Sequence, residues 1–292
     1  MCWGDASYPV PSVRIGTGGG RCRMDFTEKL LQASRRNSSL LCLGLDPDPA
    51  MMPETGIIEF NKAVIDSTSD LVCAYKPNLA FYEALGREGL AALQETVKHV
   101  PDNIPVIGDA KRGDVGHTAR AYARALFEVL GFDAVTVNPY LGHDSVEPFT
   151  LYADKGVFIL CRTSNPGAGD FQDARCSEGL ESGGQQPLYR LVAGKALEWN
   201  KRNNIGLVVG ATRPQELREI RQLCPQMHLL IPGIGAQGGD LEWAVRHGTD
   251  GKGGKAIFSS SRQILYASRG SDYARAARQS ADQVRKQINS FL

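Results

Sequence analysis

The chain has no run of about 18 consecutive apolar residues, so no membrane-spanning helix is expected. An excess of either charge is also missing. Lys and Arg total 33 against 32 Asp and Glu, a formal net charge of +1. That balance argues against a broad nucleic-acid footprint and against a polybasic membrane surface, so any anionic ligand must be met by local groups. Cysteine is present without pattern: the seven thiols, at positions 2, 22, 42, 73, 161, 176 and 224, are odd in number and never spaced as CxxC. A disulfide framework and a zinc site are disfavoured, and reduced structural thiols in a cytoplasmic protein are the expectation. Residues 1–23, MCWGDASYPVPSVRIGTGGGRCR, lack the apolar core of a signal peptide and are rich in Gly, Pro and Arg. They read as a disordered N-terminal extension to a single folded domain over residues 24–292.

What is present is a regular series of short apolar runs. LLCLGLD (40–46), LVCAYKPN (71–78), IPVIGDAK (104–111) and DAVTVNPY (133–140) are followed by GVFILCRTS (156–164), IGLVVGAT (205–212), HLLIPGIGA (228–236) and KAIFSSSR (255–262). They are continuous rather than alternating, as strands buried on both faces should be, and most are separated by segments of helical period. EGLAALQETVKHV (88–100) puts Leu90, Leu93 and Val97 at helix-face spacing, and HTARAYARALFEVLG (117–131) ends on a glycine stop. Eight strand–helix units over about 250 residues predict an α/β fold of the (β/α)8 TIM-barrel kind. A doubly wound open sheet is the runner-up, but no GxGxxG follows the first strand.

In such a barrel the reacting groups gather where the strands end, and the unusual residues of this chain accumulate there. The ends of strands one to three carry Asp46, Lys76, and Asp109 with Lys111. Thr163, Ser164 and Asn165 follow strand five, and Arg262 follows strand eight. In PVIGDAKRGDVGHT (105–118), positions 109 and 111 are two apart, so on a regular strand both side chains share a face above Ile107. A structural ion pair would explain Asp109 and Lys111 alone. Lys76 and Asp46 on adjacent strands make an alternating charge array that stability alone would not favour over apolar packing. Asp114, three residues past Lys111, is placed to approach the same site or a neighbouring subunit. PGIGAQGGD (232–240) can turn backbone N–H groups toward an anion, and Arg262 at the next strand end supplies a guanidinium fork. Loops seven and eight are the usual phosphate address of these barrels.

Taken in order, LGLDPD, YKPNLAFYE, DAKRGD, RTSNPGA and PGIGAQGGD resemble the orotidine 5'-phosphate decarboxylase family, in its longer bacterial-type branch, from about Met24 to the C-terminus. The resemblance implies loss of CO2 from orotidine 5'-phosphate to give UMP in de novo pyrimidine biosynthesis, without a cofactor or metal. It assigns Lys76, Asp109, Lys111 and Asp114 to a charged tetrad at the reacting carbon. It also implies a homodimer in which Asp114 and Thr118 reach across the interface. Asp46 corresponds to a ribose contact shared with Lys76, Ser164 to the pyrimidine edge with Asn165 beside it, and Gln237, Gly238 and Arg262 to the phosphate grip.

Two competing readings differ in kind. A metal-dependent aldolase or keto-sugar decarboxylase would use carboxylates for a magnesium ion, whereas strand two offers Lys76. A non-catalytic phosphate binder would need Gln237 and Arg262 but not the tetrad. His117, His143 and His247 lack mutual metal-ligand spacing and are assigned no catalysis. Asn138, where strand four ends at the active mouth, reads as a turn former ahead of a pocket-lining residue, and Trp3, Trp199 and Trp243 read as packing or surface residues. The polar, glycine-rich segment 165–186 suits either a mobile cover or a tolerated insertion.

Overall fold

The computed structural model describes residues 24–177, 184–234 and 240–292, so the expected N-terminal extension and Trp3 lie outside the described residues. Eight parallel strands carry the fold: β1 (Leu41–Leu45), β2 (Ala74–Pro77), β3 (Ile107–Arg112), β4 (Ala134–Val137), β5 (Gly156–Arg162), β6 (Ile205–Val209), β7 (Leu229–Pro232) and β8 (Ala256–Ser260). Neighbours run in the order β2-β1-β8-β7-β6-β5-β4-β3. Bridges Tyr75–Val106 and Asn78–Asp109 then join β2 to β3, which closes the cylinder. The (β/α)8 barrel expected from the eight apolar runs is the observed architecture.

The continuous apolar runs divide into two cores. Cys42, Ala74, Ile107, Ala134, Phe158, Val208, Leu230 and Ile257 form one buried cluster inside the cylinder. Leu41, Leu43, Val135, Val157, Ile159, Leu207, Leu229 and Phe258 face the surrounding helices. An N-terminal helix, Phe26–Asn37, adds Phe26 to the inner cluster. Its ring meets Phe158 edge-on at 5.8 Å, and its N–H donates to the Asp154 carbonyl at 3.0 Å. Only glycine fits at position 156, where a Cβ would lie 2.4 Å from the Phe26 ring. The helix thus stoppers the end of the barrel at which the strands begin, and the opposite end carries the polar strand ends.

Three local features differ from the periodicity arguments. In the helix Gly86–His99 the buried stripe is Gly89, Ala92, Leu93 and Thr96, while Leu90 is 43% exposed. Gly89 is the reason. A Cβ there would lie 2.0 Å from the Tyr82 carbonyl, so close approach at Gly89 sets which face turns inward. The segment after β3 is an α-helix, Gly116–Arg124, that widens into a π-turn over Ala125–Val129 before stopping at Gly131 with φ +77°. After β5, Arg175–Cys176 and Gln186–Pro187 pair as an antiparallel ribbon. Trp199 packs on the outer core, and Trp243 meets His247 in a tilted ring contact, centroids 3.7 Å apart, as packing residues should. Cys42, Cys73, Cys161 and Cys224 are buried free thiols, and Cys176 is half-buried. Among the described residues no helix is long and apolar enough to cross a membrane.

His228, just before β7, has no hydrogen-bond partner on either ring nitrogen among the described residues. Burial first, then the charges of Lys255 and Arg221, push its imidazole down to about 3. The unfolded chain takes up this proton below about pH 6.5, whereas the folded chain does not until about pH 3. Stability should therefore decline as pH falls through this window, by up to about 1.4 kcal/mol per unit. Urea unfolding of wild type and His228→Leu at pH 7 and pH 5 should show the variant losing less on acidification. Equal losses would assign the acid sensitivity elsewhere.

Candidate active site

The polar strand ends converge on Asp109. On β3 the two-residue alternation expected for positions 109 and 111 is broken. Gly108 pairs with Val135 and Arg112 with Val137, so Asp109, Ala110 and Lys111 all stand opposite the single residue Thr136. Lys111 takes up the surplus chain with φ +48°. Its ammonium nevertheless returns to the same carboxylate the alternation argument chose: Lys111 Nζ donates to Asp109 Oδ1 at 2.6 Å. Lys76 Nζ donates to Oδ2 at 2.9 Å from β2. The Thr136 hydroxyl donates to Oδ1 at 2.9 Å and accepts the Lys111 N–H at 2.9 Å.

Burial divides the group. The side chains of Lys76 and Asp109 are 8% and 11% exposed, whereas that of Lys111 is 48% exposed at the open mouth. Desolvation alone would raise the Asp109 carboxyl, but the ammonium groups of Lys76 and Lys111 outweigh it and hold the carboxyl well below the usual range. Desolvation would likewise lower the Lys76 ammonium, yet Asp109 and then Asp46 hold it above the ordinary lysine value. Both members of the buried pair therefore stay charged at neutral pH.

Asp46, half-buried just past β1, is fixed by both oxygens. It accepts the Asn78 N–H at 3.2 Å and the Ser261 hydroxyl at 2.6 Å. The Tyr266 hydroxyl donates to the Asp46 carbonyl and accepts the Asp48 N–H, both at 2.7 Å. These bonds tie the ends of β1, β2 and β8 together. Ser261 and Tyr266 were not singled out in the sequence, although the serine run before Arg262 was a usable signal.

The remaining expected residues surround this centre without joining it. Asp114 is half-buried, and its carboxylate accepts the Val115 N–H at 2.7 Å. It makes no ion pair with a described residue. Thr118 lies half-buried in the first turn of the helix Gly116–Arg124. Ser164 packs against Gly210, where a Cβ would lie 2.8 Å from the serine Cβ, and Asn165 accepts the Thr163 hydroxyl at 2.6 Å. Arg262 begins a one-turn helix just beyond β8 and is exposed. Gln237 and Gly238 lie outside the described residues. Asn138 accepts the Tyr140 N–H at 3.0 Å, the turn-forming bond expected of it.

Sequence reasoning missed Arg162, which is fully buried at the end of β5. Its guanidinium donates to Gln172 Oε1 and Asp173 Oδ2, both at 3.1 Å, and stacks over the Tyr189 ring. Gln172 in turn accepts the Thr163 N–H at 2.9 Å. The described part of segment 165–186 is therefore anchored at one end by a buried cation. An arginine within an apolar run was the available signal.

A closed barrel with buried ammonium and carboxylate groups at its C-terminal mouth defines the class: a (β/α)8 protein with paired charges fixed at its strand ends. Residues 39–279 match the family described as Orotidine 5'-phosphate decarboxylase / HUMPS. An orotidine 5'-phosphate decarboxylase of Dehalococcoides mccartyi is 54% identical over 270 residues, covering 92% of this chain and 98% of that protein. The solved orotidine monophosphate decarboxylase of Leishmania donovani superposes with a TM-score of 0.79 at 40% identity, covering 92% and 99%. The UMP synthase of the same organism superposes at 0.81 with 41% identity; this chain spans 56% of that longer protein. The chain belongs to the orotidine 5'-phosphate decarboxylase / HUMPS family.

Removing Asp109 would leave the Lys76 ammonium buried without its counterion. Asp109→Ala should therefore lower the unfolding free energy by about 3–5 kcal/mol, and adding Lys76→Met should recover most of that loss. Urea unfolding of both variants checks this. A wild-type midpoint for Asp109→Ala would show that the pair is not energetically coupled.

Proposed function

We propose that the chain converts orotidine 5'-phosphate to UMP and CO2 in pyrimidine biosynthesis, using the Lys76–Asp109–Lys111 network without a cofactor. The observation that carries this reading is one nearly buried carboxylate holding two ammonium groups at 2.9 and 2.6 Å at the barrel mouth. In the reaction the bond from ring carbon C6 to the carboxylate breaks, and its electron pair remains on C6 in an in-plane orbital that the ring delocalises poorly. Lys111, the exposed ammonium of the pair, stabilises that charge and transfers a proton from Nζ to C6, then regains one from solvent. Asp109 acts chiefly by positioning. Its charge is met by both Lys76 and Lys111, so it holds the two ammonium groups in place rather than standing as a free anion beside the substrate carboxylate.

One preorganised donor contributes about 3–4 kcal/mol, against about 8–23 kcal/mol for typical enzymic barrier reductions. Binding energy from the rest of the nucleotide must be used as well. Arg262, with Gln237 and Gly238, is assigned to the phosphate. Asp46 with Lys76 is assigned to the ribose, and Ser164 with Asn165 to the pyrimidine edge. The working unit is a homodimer in the cytoplasm, with Asp114 and Thr118 serving the partner's site. Asp114 lacks an ion-pair partner among the described residues, and the apolar side chains Val115, Tyr140 and Leu141 stand exposed on the adjoining loops after β3 and β4, which supports this arrangement.

Chelator-treated protein should turn over orotidine 5'-phosphate, followed by pyrimidine absorbance, and Lys111→Ala should abolish turnover while UMP still binds. Mixing Lys111→Ala with Asp114→Ala subunits should restore activity, because each mixed dimer contains one wholly native site. Random exchange makes about a quarter of all sites native. Loss of turnover on chelation would overturn the cofactor-free reading, and no gain on mixing would place Asp114 within its own subunit's site.

A further inference from the structure

We propose that Thr136 is a positioning residue of this site, whose hydroxyl sets the backbone of Lys111 and the carboxylate of Asp109 at once. The inference rests on the catalytic reading of Lys111 and Asp109 given above. It starts from the register of β3 and β4, where three residues stand opposite Thr136 and the regular ladder is interrupted. A bulge leaves backbone donors without their strand partners, and buried donors left unpaired are costly. Lys111 has in addition a left-handed backbone, φ +48°, which a non-glycine residue holds only when its surroundings impose it.

The imposing group is identifiable. The Thr136 hydroxyl accepts the Lys111 N–H at 2.9 Å and passes its own proton toward Asp109 Oδ1 at 2.9 Å. Thr136 is 1% exposed, so water does not readily replace it. Below it on the same face of β4, Ala134 belongs to the inner barrel cluster, which places the threonine at the top of the packed interior. Above the bulge the chain is locked again, because the Asn138 N–H donates to the Arg112 carbonyl at 2.8 Å. Between these fixed points the hydroxyl is the link between the main chain of the proton donor and the carboxylate that orients its ammonium. Valine would fill the same volume with neither bond.

A charge-assisted hydrogen bond contributes about 1.5–3 kcal/mol, and every 1.4 kcal/mol is about tenfold in rate. Thr136→Val should therefore lower kcat by about 10- to 100-fold while KM and UMP affinity change by less than about threefold, because the hydroxyl orients Lys111 rather than holding the nucleotide. Thr136→Ser should restore kcat. The acid limb of the kcat profile should move to higher pH in the valine variant, since Asp109 loses a donor to its ionised form. Thr136→Ala gives the same test should the valine variant not fold. Near-wild-type kcat with an unmoved acid limb in the hydroxyl-less protein would overturn the proposal, and so would a serine variant as impaired as the valine one. If Asp109→Ala and Lys111→Ala also turned over normally, the underlying catalytic reading would fail instead; inactive Asp109 and Lys111 variants beside an active Thr136→Val would sink this inference alone.

Discussion

Asp109 accepts hydrogen bonds from Lys76, Lys111 and Thr136, and the rest of the site is arranged around that carboxylate. An ammonium as enclosed as Lys76 is expensive to desolvate unless an ionised partner lies against it. Asp109 is that partner. In meeting the need it also brings Lys111 to the mouth, so one ionised group both satisfies a buried charge and aims an exposed one. The four residues come from three consecutive strands, and their geometry holds only while β2, β3 and β4 keep their register.

The barrel supplies that register. Closure through the Tyr75–Val106 and Asn78–Asp109 bridges brings the ends of β2 and β3 together, and the second of these bridges involves Asp109 itself. Phe26 fills the opposite end against Phe158, which leaves the polar mouth as the place where the strand ends depart from apolar packing. Asp46, Ser261 and Tyr266 then bind the β1 end to the segment after β8, and buried Arg162 anchors the segment after β5. The strand ends carry the charges, and the segments after β1, β5 and β8 are pinned at their roots.

Much of this was legible in the chain. Continuous apolar runs announce strands covered on both faces, and charged residues at the ends of such runs are costly enough to point to a site, so Asp46, Lys76, Asp109 and Lys111 stood out together. The details were not legible because they depend on tertiary contact. Two-residue alternation chose the right partner for Lys111 by an argument the bulge does not obey. Periodicity put Leu90 in a core stripe, whereas the close approach of Gly89 to the Tyr82 carbonyl turns it outward. Thr136 and Arg162 were not singled out within their apolar runs; the Thr136 hydroxyl reaches the preceding strand, and the Arg162 guanidinium reaches the segment that folds back after its own strand.

The whole site depends on Asp109 and Lys76 remaining a fully ionised pair inside the barrel mouth. Site-resolved NMR titration of the folded protein, observing the Asp109 carboxyl carbon and the Lys76 side-chain nitrogen, tests it most directly. The Asp109 carboxylate should stay ionised well below the ordinary value of about 4, and the Lys76 ammonium should persist above the ordinary value of about 10.4. An Asp109 that takes up a proton near pH 4 or higher, or a Lys76 that is neutral at pH 7, would contradict it.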